Sequence, residues 1–252
     1  MYLFKYFTLM TLIFILPVSI HGSDRITIVG NKAKPPKVFL KDKLPQGILI
    51  EILKYADEKL PQEFKYRLFP WQRAYYKAQK ENVGIIGISK NTERLKIFDY
   101  SAAVYYDELL LVVRKDKAFK FKNTEDLRGK KIGVLRGASF GQLFEESKKD
   151  VFTVIEDNSS QERLLKLLKG RIDVALIGPG RSAVNFVINT HPRLIAGRDQ
   201  FVILEKPFVR DPNYLAFAKT LKMKGFLEAF NTLIENGYKN GDIPKIIESF
   251  EQ

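Results

Sequence analysis

Hydrophobic and polar positions along the chain follow two periods, one typical of strands and one typical of helices. In the first part, short apolar or alternating runs predict strands at 25–30, 63–69 and 83–89. Between these strands, residues 47–60 carry a helical apolar stripe, and 70–81 begins with Pro70 and continues in helix-forming residues. This alternation predicts an α/β unit with a parallel sheet covered by helices.

A second unit of the same kind follows. Apolar runs predict strands at 108–116, 131–137, 151–157 and 171–178. The patterns between them predict helices at 139–149, 159–170 and 181–190, and a capped turn or short helix at 123–130. The tail, 222–251, is helical with a break at Asn240-Gly241. Because no low-complexity linker separates the two units, we expect two closely coupled lobes.

Residues 1–22 have the layout of a secretory signal peptide. Lys5 precedes an uncharged run over residues 6–20, and small residues follow this run. An uncleaved membrane anchor is the alternative, although the run is shorter than the roughly 20 residues that span a bilayer. The absence of Cys excludes a lipoprotein anchor and disulfides. We therefore expect cleavage near Gly22 and a soluble periplasmic protein.

The formal net charge is +13, and Lys5 is the only charged residue among the first 22, so the remaining chain keeps +12. Such a charge attracts nucleic acids, anionic membranes or acidic small molecules. The basic residues are interspersed with acidic ones and form no nucleic-acid-binding motif, which argues against nucleic acid as the partner. An acidic small molecule, an anionic membrane surface and a merely solvated basic surface all remain compatible with this charge.

Seven short motifs occur in a characteristic order, and together they carry a family resemblance. They are PP (35–36), Gly47 to Glu51, PWQRA (70–74), TERLKIFDYS (92–101), EDLRGKKIGVLRGAS (125–139), GRIDVAL (170–176) and ENGYKNGDIPKII (235–247). From Ile26 to Phe250 the chain resembles the bacterial extracellular solute-binding proteins of family 3, the type II periplasmic receptors for polar amino acids.

The resemblance implies a two-lobed α/β fold in which each lobe has a mainly parallel sheet flanked by helices. The first lobe is expected to comprise 23–106 and, after a return of the chain, 213–252, and the second lobe 107–212. It further implies a monomer without a cofactor that captures a small polar or anionic ligand, such as an amino acid or a related carboxylate. A membrane permease of the ABC type or a sensor would read the closed form.

The family resemblance also implies a site for a ligand carboxylate at the end of the strand 83–89. There, Gly87 and Ser89 match the small or hydroxyl residues that meet the carboxylate, and Arg94 matches the arginine that binds it through a planar fork. The alternative for Arg94 is a surface salt bridge at a helix start. Trp71 matches an apolar or aromatic position against the ligand, and simple core packing is its alternative.

In the second unit, Ser139 resembles the family's hydroxyl contact with the ligand carboxylate, and it is also expected to cap a helix. The chain departs from the family at Gly178, where amino-acid receptors have an Asp that binds the ligand's ammonium group. With Arg94 and the nearby lysines, Lys34 and Lys90, but no carboxylate opposite, this site would attract an anion rather than a zwitterion. Asp157 or Glu156 could replace the missing acid.

An enzymatic function is the alternative, because some proteins of this fold are dehydratases that act on a small carboxylate. Outside residues 1–22 the chain has one His, His191, which we expect to cap a helix C-terminus at the surface. Neither a Ser-His-Asp arrangement nor a cluster of metal ligands is visible. We therefore predict a binding protein with no catalytic residues and no metal site.

Overall fold

The structure is a computed structural model that describes residues 25–250. The predicted signal peptide, residues 1–22, lies outside the described residues. Within the described part of the chain, every helix is too short or too polar to cross a bilayer.

Strands and helices alternate through most of the chain. The strands are β1 (Arg25–Asn31), β2 (Ala33–Lys34), β3 (Val38–Lys41), β4 (Leu44–Gln46), β5 (Glu63–Phe69), β6 (Gly84–Ile88), β7 (Phe98–Arg114), β8 (Lys131–Leu135), β9 (Thr153–Asp157), β10 (Val174–Ile177), β11 (Phe201–Ile203) and β12 (Val209–Ala218). The helices are α1 (Ile48–Asp57), α2 (Trp71–Lys80), α3 (Thr92–Ile97), α4 (Gln142–Asp150), α5 (Ser160–Leu168), α6 (Gly180–Asn189), α7 (Pro192–Ala196), α8 (Lys224–Lys239) and α9 (Asp242–Glu248).

The first lobe is built around β1, which pairs in parallel with β5 on one side and with β6 on the other. The apolar stripe of α1 is buried against this sheet together with Phe230 and Ile234 of α8. A small antiparallel sheet of β2, β3 and β4 precedes α1. Local periodicity therefore produces the expected layers, a parallel sheet with helices packed on it.

The second lobe repeats this arrangement around β8, which pairs in parallel with β9 and β10. Its sheet is buried on both faces. One apolar cluster includes Val134 and Phe144, and another includes Leu164 and Ala175. Strands buried on both faces carry near-continuous apolar sequence, which is why residues 171–178 read as an apolar run rather than an alternating one.

Two long antiparallel strands join the lobes. Over residues 98–109, β7 pairs with β12, and from Leu110 onward it pairs with β10 and β11 of the second lobe. The chain thus passes from the first lobe to the second along β7 and returns along β12. The lobe boundaries expected from the sequence, 106/107 and 212/213, fall within these two strands, and they stay a prediction.

Candidate functional site

A small cavity lies between the lobes, beside the two crossover strands. The centre of a water molecule could occupy about 40 Å³ of this cavity. It is lined by side chains of both lobes and both crossover strands: Asn31, Lys34, Lys37, Val38, Trp71, Ile86, Gly87, Ser89, Arg94, Asp107, Leu135, Ala138, Ser139, Phe140, Asp211 and Asn213. This position, outside the carboxyl ends of parallel strands, is where open α/β sheets bind ligands.

Hydrogen bonds between the lobes close this cavity. The Trp71 indole donates to the Gly137 carbonyl at 3.0 Å, and the Ser89 hydroxyl oxygen lies 3.1 Å from the Ser139 carbonyl oxygen. The Asn91 amide donates to the Ser139 hydroxyl at 3.0 Å. Because each of these bonds joins the first lobe to the loop between β8 and α4, the structure represents the closed form.

Arg94 is a buried cation that contacts both lobes. Its helix α3 begins at Asn91, whose side chain accepts a hydrogen bond from the Arg94 backbone N–H at 2.8 Å. The Arg94 side chain donates to the carbonyls of Ser89 at 3.1 Å and Gly137 at 3.2 Å, and lies 5.2 Å from the Tyr75 ring centroid. Arg94 is only 4% exposed, and among the described residues no carboxylate lies within 4.0 Å of it. The predicted alternative, a surface salt bridge, is therefore wrong.

The structure brings four other predicted site residues to the same cavity. Trp71, Gly87, Ser89 and Ser139 all line it. Gly87 has a φ of 76°, and a Cβ there would lie 2.9 Å from a Leu49 methyl group, so the position suits only glycine. The ring of Trp71 also packs in the core of the first lobe, and its contact with the ligand stays a prediction.

The expected capping role of Ser139 is not observed. Helix α4 begins at Gln142 after Gly141, and no side chain caps its N-terminus. His191 also differs from the expectation, since its Nδ1 accepts from the Arg193 N–H at the N-terminus of α7 rather than at a helix C-terminus. Within residues 25–250, no three His, Asp or Glu side chains form a cluster that could hold a metal ion.

Gly178 does not line the cavity. It lies in a neighbouring depression, and a Cβ added to it would be 2.6 Å from a Leu109 methyl carbon, so an Asp would not fit here without movement. The two acids considered as its replacement are engaged elsewhere. Asp157 forms a fully buried, bidentate ion pair with Arg163, at 2.7 and 2.9 Å. Glu156 accepts a hydrogen bond from a backbone N–H and is not among the residues that line the cavity.

Two aspartates that the motifs did not indicate line the cavity instead. Asp107 of β7 and Asp211 of β12 are each 3% exposed, and they are direct cross-strand partners. The Lys37 ammonium binds Asp107 and donates to the Asn213 side chain at 2.8 Å. The expectation that no carboxylate shares the site with Arg94 is therefore wrong. The available signal was weak, because β7 carries Asp99 and Glu108 as well as Asp107, and only the burial of Asp107 and Asp211 distinguishes them.

Burial perturbs the ionisation of two groups in this cavity. It raises the pKa of Asp211 to about 6, and the negative charge of Asp107 adds to the rise although the hydrogen bond from the Ser89 hydroxyl opposes it. Burial also lowers the pKa of Lys34 to about 7, and repulsion from Lys37 contributes. Both charged forms are therefore destabilised in the closed cavity.

Lys90, the other lysine expected near the ligand, does not line the cavity. Its ammonium lies 4.0 Å from the centroid of the Tyr214 ring and 5.3 Å from that of Tyr100. This aromatic contact holds the charge beside the site rather than within it.

Known proteins share this architecture. ABC transporter arginine-binding protein 1 of Escherichia coli (strain K12) is 29% identical over 178 residues, covering 69% of this chain and 68% of that protein. An ancestral arginine-binding protein bound to arginine superimposes with a TM-score of 0.71 at 22% identity, covering 91% of this chain and 99% of that one. A histidine kinase sensor domain with similarity to periplasmic binding proteins gives 0.73 at 19% identity, with coverage of 90% and 96%.

These structural likenesses confirm the two-lobed type II periplasmic binding fold that the motifs predicted. The sequence profile of one family matches residues 26–251, which include both lobes, both crossover strands and every residue of the cavity. The chain therefore belongs to the bacterial extracellular solute-binding proteins, family 3.

Proposed function

We propose that this solute-binding protein captures an amino acid between its lobes and binds the ligand's carboxylate with Arg94. The observation that carries the proposal is the buried Arg94 guanidinium, which contacts backbone carbonyls and aromatic rings but has no carboxylate partner among the described residues. A buried charge without a direct ion pair is costly, and a ligand carboxylate would reduce that cost.

The neighbours of Arg94 suit a carboxylate. The guanidinium presents a planar set of donors, and the hydroxyls of Ser89 and Ser139 lie at the same cavity. In the closed form, one Arg94 nitrogen donates to the Gly137 carbonyl. We propose that a carboxylate replaces this weaker acceptor and joins the two lobes through a shared ligand, so that the ligand stabilises closure.

The setting follows from the family. Its members work outside the cytoplasm, and we propose that residues 1–22 are a signal peptide removed on export. The arginine-binding relative belongs to an ABC transporter, and one structural neighbour is a kinase sensor domain. We therefore propose that this chain acts as a monomer and delivers its ligand to an ABC permease, with a sensor as the second possible reader.

We also propose that the protein binds its ligand without turnover. The relatives described above are binding proteins or a sensor domain, so the dehydratase alternative has no support among them. The polar groups that line the cavity are a guanidinium, two hydroxyls, two carboxylates, two amides and two ammonium groups, a set that supports binding of a small polar ligand.

The test is a thermal-shift measurement with three matched probes. They are an equimolar mixture of the twenty L-amino acids, the corresponding amino acid amides, which lack the carboxylate, and the corresponding 2-hydroxy acids, which lack the ammonium group. A ligand at 1,000 times its Kd stabilises by about 4 kcal/mol, and each kcal/mol raises the Tm of a protein this size by about 2–4 °C. We expect a rise of about 8–16 °C with the amino acids and none with the amides.

An equal rise with the amides would refute carboxylate binding at Arg94. No rise with any of the three mixtures would refute the proposal that the ligand is an amino acid.

A further inference from the structure

The floor of the cavity is formed by two carboxylates, Asp107 and Asp211, which we call the aspartate pair. They are cross-strand partners on β7 and β12, so their side chains lie on the same face of the sheet. Both line the cavity, and both are almost completely buried. Like charges placed directly opposite each other in a sheet are destabilising, so this arrangement requires a positive partner.

The protein supplies only part of that positive charge. The Lys37 ammonium binds one oxygen of Asp107, and the other oxygen, Oδ1, is buried without a hydrogen-bond partner among the described residues. Asp211 accepts at Oδ2 from the Ser89 hydroxyl and, at 3.5 Å, from the Asn213 amide, and it is engaged in no ion pair within the described chain. Each member of the pair therefore retains acceptor capacity for a ligand. A buried carboxylate oxygen without a donor is costly, so a ligand that donates to it would be stabilised.

We propose that the aspartate pair binds the ammonium group of the ligand, in place of the strand-end acid that Gly178 cannot provide. This inference rests on the proposed function, in which the ligand is an amino acid bound by Arg94 through its carboxylate. An ammonium group has three donors, which match the unpartnered Oδ1 of Asp107 and the free capacity of Asp211. The site would then select zwitterions and reject simple organic anions.

The position of Asp211 in the cavity also makes ligand binding depend on pH. The charged and titratable groups that act on Asp211 are Asp107 on β7, Lys37 before β3, Arg94 on α3 and Tyr214 on its own strand. An arriving ammonium would favour the ionised form of Asp211 and so lower its pKa from about 6. Affinity should therefore be full above that pKa and fall as the pH drops through it.

Lys34 acts in the same direction. It becomes charged as the pH falls below its pKa of about 7, and it would then repel a ligand ammonium near Asp107. Below the pKa of Asp211, each unit of pH should weaken amino acid binding about tenfold. We thus expect affinity at about pH 5 to be at least about tenfold weaker than at about pH 8.

The experiment measures the Tm rise caused by the amino acid mixture and by the 2-hydroxy acid mixture, at both pH values. The wild type should respond strongly to the amino acids at about pH 8, weakly at about pH 5, and little to the 2-hydroxy acids. The proteins compared are the wild type, Asp211→Asn, Asp107→Asn and, as a matched control, Asp199→Asn, which removes an exposed aspartate outside the cavity.

In Asp211→Asn, the response at about pH 8 should fall to a level that corresponds to at least about 30-fold weaker binding. Its remaining pH dependence should be smaller than that of the wild type. Asp107→Asn should also bind more weakly, and it provides a second test should Asp211→Asn fail to fold. Asp199→Asn should behave as the wild type does.

Equal responses to amino acids and 2-hydroxy acids would overturn the inference, because the ammonium group would then contribute nothing. That result would leave carboxylate binding at Arg94 intact, since only the amide mixture tests it. A pH-independent response that survives in both site variants would also overturn the inference.

Discussion

Replacing Arg94 by Met tests the ligand site most directly. Met retains a long apolar side chain beside Tyr75 but has no charge and no donors. In a closed cavity, removal of one partner of a buried, hydrogen-bonded charge pair costs about 2–5 kcal/mol or more. Two charge-assisted hydrogen bonds from a guanidinium fork place the expected loss at about 3–5 kcal/mol, which weakens binding about 150- to 5,000-fold.

The fold itself should tolerate this change. The ligand-free protein loses two hydrogen bonds from Arg94, to the Ser89 and Gly137 carbonyls, each worth about 1.5–3 kcal/mol with a charged donor. The substitution also removes the unfavourable burial of a charge without an ion pair, which stabilises the folded state by several kcal/mol. Because these contributions oppose each other, we expect the Tm without ligand to change by only a few degrees.

Titration calorimetry with the amino acid that gives the largest thermal shift measures the affinity. Arg94→Lys should bind with intermediate affinity, because it keeps the charge but loses the planar fork. Arg136→Met is the matched control: it removes a half-exposed arginine of the same region whose nearest acid is Glu156, 3.7 Å away, and it should leave the affinity unchanged. An Arg94→Met affinity within about tenfold of the wild type would refute the role of Arg94 as the carboxylate ligand.

Trp71 is the chain's only Trp and lines the cavity, so ligand binding should change the emission spectrum; an unchanged spectrum at saturation would contradict its contact with the ligand. Gly178→Ala should lower the free energy of unfolding by about 1–3 kcal/mol in urea, because its Cβ would clash with Leu109. An unchanged free energy would show that Leu109 moves aside at little cost. Arg163→Met should cost about 3–5 kcal/mol by leaving the buried Asp157 carboxylate unpaired, and replacement of both residues by apolar ones should recover most of that loss.

The sequence predicted the layered part of the fold well. The strand expected at 63–69 is β5, and the strands expected at 25–30 and 151–157 differ from β1 and β9 by one or two residues at an end. These elements are predictable because their apolar periodicity repeats locally and each buries a face against the adjacent layer. The order of the motifs also predicted the family, which the profile match confirms.

Elements that depend on distant pairing were missed. The sheet of β2, β3 and β4 has no apolar periodicity, and its turn uses positive φ at Asp42 and Lys43 rather than at a glycine. The strand expected at 108–116 begins instead at Phe98, because its first half pairs with β12, which lies far along the chain. Local sequence carries little information about such pairing, because its partner is set by the fold as a whole.

The candidate site divides in the same way. Arg94 and Ser139 were predicted because each belongs to a short family motif, and Ser89 was predicted because it ends the strand expected at 83–89. The aspartate pair was not, because Asp107 and Asp211 are neighbours only through the register of β7 and β12. That register also sets their burial and mutual repulsion, and so the pKa of Asp211. Charge balance in a closed cavity is a property of three-dimensional proximity and desolvation, and only the tertiary structure decides it.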